Sequence, residues 1–596
     1  LDRVWGSIFS WAGERFVKKV PRRIPYPVTV SFGEAVESGT PLEDLRRRVH
    51  ELSEAAWFYR KKDRLPLHRE FIRNARRSPW TLAFADVTLP GVSRVKALAG
   101  AIAFARALRT HWEGQERVGL LLPPTVAGAL ANIAASISGR TSVNLNYTAG
   151  ASGMESAARQ SELKTVLTSR AFLEKGKIDL PQGVEPIYLE DVRETIGRGD
   201  RIGAFFRALF QPAKWLERSC GATGRISVDD IVTVIFSSGS TGEPKGVELS
   251  HFNVDSNVEA LAQIMRVNPR DRLLGILPLF HSFGYMSLWF GSNQGVGVVF
   301  HPNPLDAAAV GELVQRYRLT ILIATPTFLQ IYMRRCTPAQ FGSLRLVLTG
   351  AEKLPERVAL AFEDYFGIRP LEGYGTTECA PAIAASALDY RAPGFYQSGS
   401  RRGTVGQPLP GVSVRIVDPE EDFDPETSEV RPAGESGMLV VRGPNVMRGY
   451  LGKDELNAKV LKDGWYVTCD IAVLDDDGFL RITDRLSRFS KIAGEMVPHG
   501  RVEEALHDAL GSELQVFAVT AVPDEKKGEK LAVLTTVSDD EVPGVLEKLG
   551  GMGLPNLFVP RPDQFVRVDE LPMLGTGKLD LRRAKQIAEE ALTASS

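Results

Sequence analysis

Ser237-Ser238-Gly239-Ser240-Thr241-Gly242-Glu243-Pro244-Lys245-Gly246-Val247 follows the apolar run Ile231-Val232-Thr233-Val234-Ile235-Phe236. A β-branched run of this length reads as a buried strand. The small residues after it let successive backbone N–H groups converge on an anion, and the hydroxyls and Lys245 add donors. That set suits a triphosphate. The segment is not a Walker A loop, because Pro244 stands where the second glycine of G-x-x-x-x-G-K falls.

The same strand-and-helix alternation extends outward from this loop. Ala97–Leu108 reads as a helix. Val118–Leu122, Thr165–Thr168, Leu319–Ile323 and Leu344–Leu348 read as buried strands. Such alternation predicts α/β layers with largely parallel sheets. After about residue 403 the chain becomes β-rich, with turn signals such as Asp475-Asp476-Asp477-Gly478, and from about 486 it mixes α and β again. The chain has 596 residues, 43% apolar and 24% charged, which predicts several cores rather than disorder. A net charge of −1 argues against a nucleic-acid footprint. Cys220, Cys336, Cys379 and Cys469 are too widely spaced for a disulfide scaffold or a cysteine zinc site, and they suit a reducing compartment.

Further motifs follow the loop in order: Leu277-Pro278-Leu279-Phe280-His281, Thr349-Gly350-Ala351-Glu352-Lys353-Leu354-Pro355, Gly373-Tyr374-Gly375-Thr376-Thr377-Glu378, Trp465-Tyr466-Val467-Thr468-Cys469-Asp470 and Pro572-Met573-Leu574-Gly575-Thr576-Gly577-Lys578. Together they resemble the AMP-forming acyl- and aryl-CoA synthetase, adenylation-domain and luciferase superfamily, over roughly residues 67–590. The resemblance implies the adenylate-ligase fold: a large N-terminal domain of α/β layers with a β-rich subdomain, and a small mobile α+β C-terminal domain. It places domain boundaries at 1–62, 63–484 and 485–596.

It also implies roles. Ser237, Ser238, Gly239, Ser240, Thr241, Gly242 and Lys245 would hold the phosphates of ATP. Gly350, Ala351 and Glu352 would bound the adenine, and Tyr374 would give it an aromatic face next to Gly375. Thr376 and Thr377 would reach the phosphates, and Glu378 would bind Mg²⁺ as a hard oxygen ligand. Asp470 would accept bonds from the ribose hydroxyls, assisted by Arg485. Lys578 would place its ammonium on the reacting carboxylate and phosphate oxygens, where anion meets anion and positive charge is needed. His281 either gates an acyl tunnel or is a core histidine bonded to backbone. The catalytic set is then Lys578, Glu378, Thr241 and His281.

Two departures stand out. Cys469 occupies the position before the ribose aspartate where the family usually has glycine; a side chain there is cheap if the backbone is extended and strained if φ is positive. Ser487 stands where the family often has an acidic or lysine hinge. Amino-acid-activating relatives carry an aspartate near the pocket segment, and Leu279–Gly284 contains no acid. The apolar surroundings suit an aliphatic chain.

The N-terminal stretch narrows the reading. Residues 1–36 read as a short helix followed by strands, with Val28–Gly33 as a strand, and residues 41–62 read as a helix with Leu42, Leu45, Val49, Leu52 and Ala56 at helical spacing. Trp5-Gly6-Ser7 and Ile24–Gly33 resemble the tail of a lysophospholipid acyltransferase domain. The chain begins at Leu1 and reads as a fragment or processed product. The one H-x-x-x-x-D match, His301–Asp306, lies in the adenylation region and reads as coincidence. An acyltransferase tail joined to an AMP-forming synthetase resembles the fused 2-acylglycerophosphoethanolamine acyltransferase/acyl-[acyl carrier protein] synthetases of the bacterial inner membrane.

The expectation is therefore an AMP-forming acid–thiol ligase with ATP and Mg²⁺ as cofactors. Long-chain fatty acid would become acyl-adenylate and then a thioester on acyl carrier protein, coupled to lysophospholipid reacylation in a longer chain. The implied location is the cytoplasmic face of the membrane, held at its surface. The rivals are a long-chain acyl-CoA synthetase and an inactive adenylate-binding scaffold. Basic Arg501 and Lys526-Lys527 are candidates for the acidic carrier protein.

Two stretches bear on membranes. Leu273–Leu305 contains no Asp, Glu, Lys or Arg, but Pro278, His281, Asn293 and Gln294 interrupt it, so it reads as core. Arg201–Arg218 is a basic amphipathic stretch broken by Pro212, open to reading as an interfacial helix or as a packed surface helix. Residues 1–80 hold 17 Lys/Arg against 10 Asp/Glu, and this basic end could face anionic lipid or an acidic partner or be ordinary solvated surface.

Overall fold

Short apolar runs, each followed by a helix, build two mostly parallel sheets in the computed structural model. It describes residues 11–12, 15–16, 28–237, 243–485, 488–492, 495–512, 514–524, 528–552, 554–573 and 579–593. One sheet has the order Gly449–Tyr450, Lys245–Ser250, Ile231–Ser237, Thr141–Asn144, Arg117–Leu120, Thr165–Thr168, Glu185–Tyr188. Its last five strands are parallel, while Lys245–Ser250 turns back antiparallel against Ile231–Ser237. The candidate phosphate loop is the connection that makes this reversal.

The second sheet runs Leu82–Ala85, Gly297–Phe300, Arg272–Gly275, Ile321–Ala324, Leu346–Thr349, Leu371–Gly375 in parallel. Antiparallel strands Val92–Ser93 on one edge and Ala382–Ala385 and Gln407–Pro408 on the other complete it. Helices cover these sheets, so the strands are buried on both faces and read as continuous apolar runs. Open parallel sheets bind ligands at the carboxyl ends of their strands. Ser237, Gly350 and Thr376 stand at such ends.

The charge-free stretch is core. It forms strand Arg272–Gly275, helix Ser282–Gln294 and strand Gly297–Phe300, all internal. Among the described residues no helix is long and apolar enough to cross a membrane. His301 and Asp306 are structural: the ring bonds the Asn303 carbonyl at 2.8 Å, and the carboxylate caps helix Ala307–Tyr317 through the Ala309 N–H at 3.1 Å.

The β-rich part is an antiparallel sheet of Ser413–Val417, Ser436–Arg442, Trp465–Leu474, Leu461–Lys462 and Leu480–Arg485. Beyond it, strands Phe517–Asp524 and Gly528–Thr535 pair in an α+β unit. Their two-residue period divides the side chains: Phe517, Val519, Leu531 and Val533 join one core with helix His499–Leu510, and Ala518, Val522, Ala532 and Leu534 join another under helix Leu581–Thr593.

The expectation for residues 1–36 fails. Residues 28–41 form no strand apart from a one-residue bridge at Thr29, and the described part before them is an antiparallel pair, Trp11–Ala12 with Arg15–Phe16, where a helix was expected. Helix Leu42–Tyr59 forms as its spacing predicts, and of that apolar set Ala56 is buried while Leu42, Leu45 and Val49 are exposed. Glu54 and Trp57 are buried beside Ala56, and ion pairs hold this side: Arg415 meets Glu51 at 2.9 Å and Arg442 meets Glu54 at 3.0 Å across the β-rich sheet. Gly411, at φ +84°, lets the Trp57 ring lie where a Cβ would sit 2.5 Å from it.

Candidate functional site

The described site is assembled from the ends of strands that are distant in sequence. Strand Leu371–Gly375 carries Tyr374, and the short 3₁₀ turn Thr377–Cys379 carries Glu378. Glycine is required at Gly375, where a Cβ would lie 2.0 Å from the Pro381 carbonyl; the turn therefore folds tightly back, with Thr376 N–H on that same carbonyl at 2.9 Å. Tyr374 donates its hydroxyl to Asp470 Oδ2. Asp470 is buried on strand Trp465–Leu474, with its N–H on Thr468 Oγ1 at 3.0 Å, and its register partner is Arg485. The tyrosine and the aspartate, 96 residues apart, thus meet at one end of the site.

Cys469 has φ +58° and is exposed. The left-handed backbone that glycine usually provides is retained here with a side chain, at about 1–2 kcal/mol of strain.

Glu378 is held by a residue that sequence reasoning missed. Tyr450 Oη donates to Glu378 Oε1 at 2.7 Å, while Met447 N–H bonds the Glu378 carbonyl at 2.7 Å. Tyr450 reaches it because its short strand pairs with Val247-Glu248 just beyond the phosphate loop. The Lys245 ammonium lies 5.3 Å from the Tyr450 ring centre. Asn457 fixes the tyrosine backbone, accepting from its N–H at 2.7 Å and donating to its carbonyl at 3.0 Å. Burial, and next the charge of Glu378, push the Tyr450 hydroxyl far above its ordinary range, so it stays a donor. No spacing in the sequence announces Tyr450 or Asn457; only the strand register does.

The adenine-turn candidates follow strand Leu346–Thr349. Gly350 is half enclosed, since a Cβ there would lie 3.2 Å from the Phe283 ring. Ala351 sits at φ +72°, and Glu352 accepts from Thr327 Oγ1 at 2.9 Å, a second partner the sequence did not reveal. Behind this turn, burial raises Glu372 to about 7 against the opposing pull of the Leu354 backbone, Lys353 and Arg369.

His281 caps helix Ser282–Gln294, with its Nδ1 accepting from Phe283 N–H at 3.3 Å. That is the backbone-bonded reading. The next residue joins the pocket segment to the nucleotide motif: Ser282 Oγ lies 3.4 Å from Thr377 Oγ1. Gly284 permits the close packing, as a Cβ there would lie 2.1 Å from the Pro278 carbonyl. The wall beside it is apolar: Leu277 and Phe280 are buried, and the Tyr147 ring stands edge-on to Phe280 at 4.9 Å.

Ser237 closes its strand and pairs with Lys245 in the ladder. Ser238, Gly239, Ser240, Thr241, Gly242, Ser487, Lys526, Lys527 and Lys578 lie outside the described residues, as does the side chain of Arg485. What is described fits a magnesium nucleotide. Thr376 is buried, with its hydroxyl beside the Cys379 thiol. Among those residues no three His, Cys, Asp or Glu side chains cluster as a metal cage. Glu378 would therefore hold Mg²⁺ together with phosphate and water oxygens, as this ion prefers.

A different constellation has the look of a catalytic triad. His68 bonds Ser136 Oγ at 3.0 Å and Glu217 at 2.9 Å, and Arg69 adds two more bonds to Glu217, at 2.5 and 2.7 Å. Burial would raise Glu217, but the bonds from Arg69 and His68 win and hold it down to about 2. Ser136, His68 and Glu217 are all fully buried, so they clamp helices together and offer no path to a substrate.

The comparisons with known proteins agree with this geometry. The AMP-binding enzyme family profile matches residues 74–451. A feruloyl-CoA synthase from Amycolatopsis is 32% identical over 359 residues, which is 59% of this chain and 69% of that protein. A long-chain-fatty-acid–CoA ligase from Yersinia pestis is 34% identical over 363 residues, covering 59% of this chain and 61% of its own length. Among solved structures, ATP-bound MatB from Rhodopseudomonas palustris superposes with a TM-score of 0.72 at 24% identity, covering 89% of this chain and all of that one. MenE from Bacillus subtilis with ATP and magnesium gives 0.69 at 24% identity, over 87% and 99% of the two chains. The architecture is thus that of the adenylate-forming ligases. With its loop, its Gly373–Glu378 turn and its buried Asp470 in the family's order, the chain belongs to the AMP-binding enzyme family.

Proposed function

We propose that this chain is an ATP-dependent long-chain fatty acid ligase that forms an acyl-adenylate and then a thioester on acyl carrier protein. The observation that carries the reading is the meeting of the two tyrosine-held carboxylates with an acid-free apolar wall: Asp470 under Tyr374, Glu378 under Tyr450, and Leu277–Phe283 alongside. The pocket segment Leu279–Gly284 carries no acid to bind a substrate ammonium, which favours a fatty acid over an amino acid.

In this reading Lys245 and Thr376 receive the phosphates, Asp470 orients the ribose, and Glu378 carries the cation that offsets the charge of carboxylate approaching phosphate. Lys578 supplies the further cation, and residues 485–596 turn about the region of Ser487 between the two half-reactions. The resemblance of the N-terminal stretch to an acyltransferase tail supports carrier protein as the thiol donor. It also supports work at the cytoplasmic face of a bacterial inner membrane, feeding lysophospholipid reacylation in a longer chain. CoA as the acceptor is the second reading, favoured by relatives that are CoA ligases by name.

The test is product analysis by mass spectrometry with MgATP and palmitate, offering CoA and holo-acyl carrier protein in parallel. Palmitoyl-carrier protein well above palmitoyl-CoA supports the proposal. The reverse preference replaces it by the second reading, and no adenylate under any condition refutes the ligase assignment.

A further inference from the structure

Helix Arg198–Phe210 faces the wrong way for a solvated surface helix. Ala204 and Ala208 point inward and are buried, and Arg76 grips the helix end through its bond to the Ala208 carbonyl at 2.9 Å. The outward stripe at four-residue spacing is Ile202, Phe206 and Phe210, which are 59%, 57% and 74% exposed. An outward stripe is where charged residues normally stand. The next helix, Ala213–Ser219, repeats the arrangement, with Leu216 buried and Trp215 67% exposed.

Trp80, 70% exposed, comes from a distant part of the chain, and its ring centre lies 6.4 Å from that of Phe205. Phe206 and Phe210 stack at 6.4 Å. Phe205 and Phe206 meet at 6.2 Å, so Trp80, Phe205, Phe206 and Phe210 form one contiguous patch, with Trp215 exposed on the next helix; such patches mark interaction sites.

Charge selects the partner. Arg198, Arg201, Lys214 and Arg218 are exposed around this face, and Asp200 is the one exposed acid between residues 198 and 218. Glu217 does not count against them, being buried under His68 and Arg69. Aromatic side chains that point outward between cations match a bilayer whose apolar region lies under anionic headgroups. A second copy of this chain matches poorly, because a twofold contact would bring the same cations face to face.

We infer that Trp80, Ile202, Phe206, Phe210 and Trp215, with their cationic rim, are the face by which this protein lies on an anionic phospholipid bilayer. The inference deepens the membrane-surface part of the function proposed above and uses none of its ligase chemistry. Binding needs neither nucleotide nor acid.

The experiment is co-sedimentation of the full chain with phosphatidylglycerol/phosphatidylcholine vesicles and with pure phosphatidylcholine vesicles. The wild type should bind the anionic vesicles, more weakly at high salt. Phe206→Ser/Phe210→Ser should lower the partition coefficient at least tenfold. Arg201→Glu/Lys214→Glu/Arg218→Glu should remove the preference for anionic lipid, at about fivefold per cation. Both variants alter exposed side chains, and an unchanged unfolding midpoint verifies that they fold. Quenching of Trp80 and Trp215 by brominated lipid should be lost in the serine variant.

Wild-type binding that both variants retain would overturn this face while leaving the membrane reading intact. No wild-type binding would overturn both, with ligase activity then measured separately. A lipid-free dimer in analytical ultracentrifugation that the serine variant abolishes would assign the face to a second copy and overturn the inference.

Discussion

Tyr450→Phe removes a single oxygen and tests how Glu378 is prepared for a cation. The hydroxyl lies 2.7 Å from Glu378 Oε1, and the ring remains beside Lys245. A hydrogen bond to a charged group is worth about 1.5–3 kcal/mol, which corresponds to about a 10- to 100-fold change in an equilibrium constant. Loss of a group that orients a metal ligand typically reduces metal affinity or activity by about the same factor. Glu378 is partly accessible, so water replaces the lost donor in part, and the lower end, about tenfold, is expected.

The assay is pyrophosphate exchange at fixed ATP over a magnesium titration, with the stabilisation of the protein by MgATP read in parallel. Half-saturating magnesium should rise about tenfold and excess magnesium should recover much of the rate, since an ill-oriented carboxylate still binds. Burial keeps Tyr450 protonated throughout the usual assay range, so the ratio of mutant to wild type should not change with pH. An unchanged magnesium dependence in a folded variant would refute the reasoning. So would a loss of rate that magnesium does not recover, because that would assign the hydroxyl to something other than Glu378.

Three further outcomes follow from local geometry. Cys469→Gly should stabilise the chain by about 0.5–1 kcal/mol, the strain at φ +58° less the extra freedom of unfolded glycine, while Cys469→Ala should gain nothing; equal urea midpoints for the two variants would rule out backbone strain. Glu372 is raised from its ordinary 4.5 to about 7, so between those values the folded state holds a proton that the unfolded state lacks, and stability falls as pH rises through that window. Glu372→Gln should match the wild type near pH 4 and exceed it by about 1–3 kcal/mol at pH 8, and parallel pH profiles would refute this. Gly411→Ala puts a Cβ 2.5 Å from the Trp57 ring at φ +84°, so it should loosen helix Leu42–Tyr59 by about 2 kcal/mol, seen as faster proteolysis around residues 42–63; unchanged cleavage would show that the helix is held elsewhere.

What the sequence made legible was short in range. Strands such as Thr165–Thr168 and Ile231–Ser237 are apolar runs bounded by turn residues, and their type can be read locally. Gly373–Glu378 is likewise one continuous stretch, a strand end and a tight turn, whose Gly375 is explained by the Pro381 carbonyl pressing against it. Tyr450 is different. Its role arises from pairing with Val247, about 200 residues earlier in the chain, and no local pattern carries that register. The facing of the N-terminal helix is out of local reach for a related reason. Its period was legible, but period does not say which face turns inward, and here Arg415 and Arg442 on a distant sheet pull the acidic face down and leave Leu42, Leu45 and Val49 in water.

A tyrosine hydroxyl donates to each of the two candidate carboxylates. An arginine on Glu378 would fix the carboxylate equally well, but it would cancel the negative charge that a metal ion must find there. A buried tyrosine hydroxyl donates one hydrogen bond and brings no charge. Tyr374 does this for Asp470 and Tyr450 for Glu378. The cation near the second pair, Lys245, lies 5.3 Å from the centre of the Tyr450 ring. Glu378 is thus held by a neutral donor while a cation stands beside that donor's ring. A substrate that carries both a polyphosphate and a metal ion needs that arrangement, and a scaffold with no chemistry to perform would have no reason to maintain it.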